Sequence, residues 1–111
     1  MIARLWSAQT TVALSHAYLH HFEQAVQPQL QGLDGFLGAT VCTRSVPEAV
    51  EILVTTYWES FTAIDAFAGA DREAAVVAAE AAALLTSFDK RVGHYEVAVA
   101  EFPAITGHTT K

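Results

Sequence analysis

The sequence holds one cysteine, one methionine and no asparagine, and six basic residues stand against twelve acidic ones. Each shortage excludes something. A single thiol, Cys42, leaves no intrachain disulfide and suits a reducing compartment; in the apolar run around it, it reads as a buried and inert side chain. A formal net charge of −6, with Lys90-Arg91 the sole adjacent basic pair, provides no basic face for nucleic-acid phosphates. No apolar run is long enough to span a bilayer, and the first residues lack the apolar stretch of a signal peptide, so a cytoplasmic protein is expected. There is no Gly-rich phosphate loop, no Ser-His-Asp order and no flavin or nicotinamide fingerprint. His16 and His20 have the spacing of two metal ligands on one helix face, but that face is polar and offers only Glu23 as a third group. No metal and no cofactor is expected.

What is present is apolar bulk. Of 111 residues 52% are hydrophobic and 16% charged, enough for one domain with a real core. The alanines of residues 74–83 account for part of that content. The rest is more than a small monomer readily covers, and a homodimer is expected.

Residues 51–68 organise the chain. Ile52-Leu53-Val54-Thr55-Thr56-Tyr57-Trp58 suits a buried strand. Ser60 can cap a helix on which Phe61, Ile64, Phe67 and Ala68 share a side. Before it, residues 2–7 read as a first strand with Ile2, Arg4 and Trp6 on one face. Thr10 or Thr11 caps a helix over residues 12–26, with Leu14, Ala17, Tyr18, His21, Phe22 and Ala25 as its buried stripe. Pro28 limits that helix, and residues 29–32 read as an irregular turn. Asp34-Gly35 is turn chemistry; residues 36–44 form a second strand in which Gly38 marks a bulge or a close approach by another group. A short link at Val46-Pro47-Glu48-Ala49 makes the second and third strands a hairpin. Gly69 stops the Ser60 helix, Asp71 caps a further helix over residues 72–85, and residues 94–100 form a last strand. Tyr95, Val97 and Val99 are its expected core side, which turns His94 and Glu96 toward a subunit interface.

The order is β-α-β-β-α-(α)-β, an α+β ferredoxin-like domain with an antiparallel sheet over residues 1–101, followed by a C-terminal tail at 102–111 that is loose unless a partner holds it. Bulky residues on both faces, Ile52, Val54 and Trp58 against Leu53 and Tyr57, point to two sheets packed face to face in the dimer.

Trp58-Glu59-Ser60, Ile64-Asp65-Ala66-Phe67-Ala68-Gly69, Ala75-Val76-Val77, Phe88-Asp89 and His94-Tyr95-Glu96-Val97, in that order, resemble the antibiotic biosynthesis monooxygenase domain. The resemblance spans residues 1–99 and implies a dimeric α+β barrel. It implies activities among cofactor-free oxygenation of aromatic polyketides and quinols, haem degradation, and members with no reaction. The haem-degrading branch uses an Asn, a Trp and a His whose positions here fall near Trp6 or Ser7, at Phe67 and at Val77. None matches, so haem degradation is disfavoured. Some aromatic-oxidising members carry a Trp where Phe67 stands, and Phe67 can only stack. Relatives often carry a proline where Ala78-Ala79 stands, and its absence implies a more continuous third helix.

The candidate base is His21, on the helix face shared with Tyr18 and Phe22; a core-edge histidine bonded to backbone is the alternative. Tyr18, Phe22, Trp58, Phe67 and Val77 are candidate substrate contacts. Arg4, a charge on a central strand, calls for Glu51 or Glu96 as a structural partner or for a substrate carboxylate or phenolate. The expected function is a cofactor-independent monooxygenase on a small phenolic, quinol or polyketide-like ligand. The alternatives are a non-catalytic ligand-binding or interaction dimer and a proton-transfer enzyme using His21.

Overall fold

The computed structural model describes residues 1–103; the end of the expected tail, residues 104–111, lies outside them. Strand β1 (Ile2–Thr10) is the centre of one antiparallel sheet. It pairs on one side with β3 (Ala49–Trp58), which pairs in turn with β2 (Phe36–Val46). On the other side it pairs with two short strands, β4 (Ser87–Phe88) and β5 (Gly93–Glu96). This is the expected ferredoxin-like arrangement. Ile2 faces Trp58, Arg4 faces Thr56, Trp6 faces Val54 and Ala8 faces Ile52 across the β1–β3 ladder. These residues form the face beneath the helices, and most of them belong to the core. The β2 register shifts between Phe36 and Gly38, the expected bulge.

Local signals place the turns. Thr11 accepts from Leu14 N–H at 3.1 Å and starts α1 (Val12–His21). Ser60 accepts from Ala63 N–H at 3.2 Å and starts α3 (Phe61–Ala68). Gly69, at φ 85°, ends it. Gly35, at φ 86°, turns the chain into β2, and its carbonyl accepts from Glu59 N–H at 2.8 Å.

The first helical segment departs from expectation. After α1 the chain makes a π turn (Phe22–Val26) and continues as α2 (Gln27–Gln31), so Pro28 does not end the helix. In a regular α-helix the Pro28 ring would meet the carbonyl four residues back; the wider turn just before it relieves that clash, and Pro28 falls in the first turn of the new segment. The buried stripe is Tyr18, Phe22 and Leu30, while Leu14, Ala17 and Ala25 are exposed.

The expected helix over residues 72–85 shrinks to α4 (Ala79–Ala82). After a turn at Arg72-Glu73 the residues before it are extended: Ala74 bridges Arg91, Ala75 N–H donates to the Lys90 carbonyl, and Val92 N–H donates to that of Glu73. Arg4 takes the carbonyls of Arg72 and Ala74. A helix would need those carbonyls as its own acceptors, and the buried guanidinium competes for them. The missing proline at Ala78-Ala79 therefore does not extend a helix; Ala78 is itself extended (φ −67°, ψ 152°).

The last strand ends at Glu96, and its facing is the reverse of that expected. His94 lies opposite Arg4, on the helix-covered side, while Tyr95 is 63% exposed and Val99 86%. Cys42 is exposed on the uncovered sheet face rather than buried. Among the described residues no helix is long and apolar enough to cross a membrane.

Candidate functional site

Two concavities compete. The larger, about 750 Å³, is a trough on the uncovered sheet face beside Ser7, Gln9, Cys42, Arg44, Glu51 and Leu53. Two of its charges are paired with each other: Arg44 Nε donates to Glu51 at 2.9 Å, and Gln9 reaches the same carboxylate. The smaller, about 80 Å³, lies between the sheet and the helices. Its walls are almost wholly apolar and it contains one buried cation. That combination, an apolar cavity with a few polar groups at fixed positions, is the form of a ligand site.

Strand β1 contributes Arg4 and Trp6 to the smaller cavity, β3 contributes Val54 and Thr56, and the first helical segment contributes Tyr18, Phe22, Val26 and Leu30. Phe67 of α3 and Val76, Val77 and Ala78 of the extended segment close it. Five of the predicted residues thus meet in one place: Arg4, Tyr18, Phe22, Phe67 and Val77. Trp58 does not line the cavity. It is wholly buried behind Phe67, with ring centroids 5.6 Å apart, and its indole N–H donates to Thr56 Oγ1 at 2.8 Å. His21 is also off the wall, and its buried Nε2 has no hydrogen-bond partner among the described residues.

Arg4 is 4% exposed, and no carboxylate pairs with it among the described residues. Neither Glu51 nor Glu96 reaches it; Glu51 is engaged with Arg44. Instead Nη1 donates to the Arg72 carbonyl at 2.6 Å and to His94 Nε2 at 2.9 Å, and Nη2 donates to the Ala74 carbonyl at 2.8 Å. A guanidinium has no acceptor, so His94 takes part as a neutral imidazole with its proton on Nδ1. Burial, then the positive charge of Arg4, holds His94 below the ordinary histidine range. Burial alone pulls the Arg4 guanidinium down from its usual value. The cation stands 5.7 Å from the Phe67 ring centroid.

Nearby acids are already matched. Arg72 binds Asp65 through Nε and Nη2, both at 2.8 Å, which holds the Asp65 carboxyl below its usual range. Arg91 binds Asp71 and Glu73. These pairs fasten the extended segment to α3 and to the loop before β5. The Tyr18 hydroxyl, pushed up to about 12 by burial, stays protonated at neutral pH. Trp6, stacked at 6.4 Å on Tyr18, was missed as a wall residue, although its alternation with Arg4 placed it on the same face. Thr56 and Val92 carried no local signal.

Among the described residues no group of three or more His, Cys, Asp or Glu is placed to hold a metal. An aromatic ring needs more room than about 80 Å³, since a dry cavity near 150 Å³ is what accepts benzene. A ring would have to displace part of the wall, and Val76 and Val77 stand there as extended chain ahead of α4, whose first hydrogen bond runs from Ala82 N–H to the Ala78 carbonyl at 2.9 Å.

No family model matches the sequence, and no curated protein matches it. Solved structures do. A Bacillus cereus protein named as an antibiotic biosynthesis monooxygenase matches with a TM-score of 0.66 and 15% identity, over 94% of this chain and 97% of its own. A Streptomyces coelicolor monooxygenase in complex with nanaomycin D matches with a TM-score of 0.60 and 18% identity, over 93% of this chain and 92% of its own. A Deinococcus radiodurans protein named like the first matches with a TM-score of 0.57 and 16% identity, over 96% of this chain and all of its own.

Proposed function

We propose that this protein, which has the fold of the antibiotic biosynthesis monooxygenases, is a cofactor-independent monooxygenase oxidising a small phenolic or quinol-type aromatic between its sheet and helices. The observation that carries the reading is the buried Arg4 among Tyr18, Phe22, Phe67 and Val77 in an otherwise apolar cavity. That a neighbour of the same fold is held with nanaomycin D supports it. A cation in a poorly hydrated cavity favours the ionised form of a phenol, and a phenolate ring is electron-rich enough to reduce oxygen itself. In a hydroxyanthrone, a substrate of this kind, the ionised ring system gives its electrons to O₂, one oxygen atom bonds to the ring CH₂, which becomes a carbonyl, and the other leaves as water with the two hydrogens. Tyr18 can donate its proton toward the developing peroxide. Arg4, rather than His21, favours the anion in this scheme.

The test is oxygen uptake with an anthrone and a hydroquinone panel. Uptake in the wild type, lost in Arg4→Gln, is expected; His21→Ala, acting from behind the wall, should lower uptake less. No uptake across the panel removes the reading. The small volume and the lack of a polar atom on Phe67 favour a second reading, a ligand-binding dimer without turnover. It predicts aromatic binding with no oxygen consumed. In either case a homodimer through the uncovered face is proposed, supported by Leu53 at 39% and Tyr95 at 63% exposure there. Light scattering giving a monomer mass at micromolar concentration would exclude it.

A further inference from the structure

The donors of Arg4 narrow the ligand class. Of its five N–H groups, two on Nη1 and one on Nη2 have protein acceptors. The Nε–H and the second Nη2–H have none among the described residues. Only His21 Nε2 is both sealed from solvent and without a partner there. The free Nε–H of Arg4 is therefore reachable, and the side chain lines the cavity. Nε and Nη2 are the pair that Arg72 uses to grip the Asp65 carboxylate at 2.8 Å on both arms. Such a fork matches the two oxygens of a carboxylate better than a single phenolic oxygen.

We propose that the ligand of this cavity is an aromatic carboxylate, its acid group held side-on by Nε and Nη2 of Arg4 and its ring against Phe67, Tyr18 and Phe22. The inference rests on the cavity being the ligand site and adds to that reading a permanent negative charge on the substrate. A buried cation without a counter-ion is unfavourable, and an anionic ligand removes that penalty as it enters. The protein's own acids cannot do so, because Asp65 and Glu73 are bound to Arg72 and Arg91. His94 adds specificity. As an acceptor on Nη1 it turns the opposite edge of the guanidinium toward the cavity, which makes it a positioning residue.

The experiment is isothermal titration of the full chain with benzoate and with its neutral isostere benzamide. The wild type should bind the acid at least tenfold more tightly, and Arg4→Gln should abolish that preference. Equal binding of acid and amide overturns the proposal while leaving an aromatic cavity in place. A preference retained in Arg4→Gln places the anion elsewhere and also overturns it. Where Arg4→Gln fails to fold, the wild-type ratio alone decides. Tight acid binding without oxygen uptake from any hydroxylated analogue would leave this inference standing and remove the monooxygenase reading. No binding of either compound removes both.

Discussion

Replacing Gly35 by Ala tests how the organising strand and helix are locked together. The new side chain meets two obstacles. Gly35 has φ 86°, where a side chain costs about 1–2 kcal/mol. Its Cβ would also lie 2.5 Å from the Ala63 Cβ in the first turn of α3, and relieving such an overlap costs about 1–3 kcal/mol. Gly35→Ala should therefore destabilise by about 2–5 kcal/mol, a large part of a small domain's stability. The two terms separate in a double-mutant cycle. Ala63→Gly costs about 1 kcal/mol on its own as a helix glycine and removes the overlap, so the pair should show about 1–3 kcal/mol of favourable coupling. Urea denaturation followed by circular dichroism at fixed protein concentration measures each corner, with concentration held constant because association shifts apparent stability. Strict additivity would refute the claim that this contact seats α3, and with it Phe67, against the turn.

Three other outcomes follow from single interactions. Thr56→Val leaves the buried Trp58 indole N–H without its acceptor and should cost about 1–3 kcal/mol, whereas Thr56→Ser should be nearly neutral; equal losses would deny the hydrogen bond. His94 is held neutral with its folded-state pKa lowered, so the unfolded chain binds the proton first as pH falls below about 6.5. Stability should decline in that window and level off below the folded pKa. Denaturation midpoints between pH 8 and pH 5 should fall less in His94→Gln than in the wild type, and parallel curves would contradict the assignment. Val77→Ala removes two half-buried methyl groups, with a loss of about 1 kcal/mol. It also widens the cavity, so specificity for two-ring substrates should rise in steady-state kinetics; a fall would argue that Val77 packs on the ligand and does not limit entry.

Features set by neighbours in the chain were legible in the sequence. Thr11, Ser60, Gly35 and Gly69 take the cap and turn roles their chemistry dictates, and the element order led to the sheet topology. Alternation placed Arg4 with Trp6, and helical spacing brought Tyr18 and Phe22 to the same cavity. What was not legible depends on contacts far apart in sequence. The Ala-rich stretch after Asp71 has high helix propensity, yet Arg4, some 70 residues earlier, claims its carbonyls and Arg91 pairs with it as an extended chain. The facing of His94 follows from its register with Arg4, which no local pattern encodes. Cys42 sits in a strand whose outer face is uncovered, and apolar neighbours along the chain say nothing of what lies across the sheet. Trp58, expected as a substrate contact, is instead the support behind Phe67.

The most direct measurement is turnover of a hydroxyanthrone under ¹⁸O₂ with protein treated with a chelator, followed by mass analysis of the quinone product. The proposed chemistry predicts one ¹⁸O atom per product, the other appearing in water, at a rate that Arg4→Gln lowers by at least tenfold. Product without label, or labelling at the rate of the protein-free reaction, would contradict it.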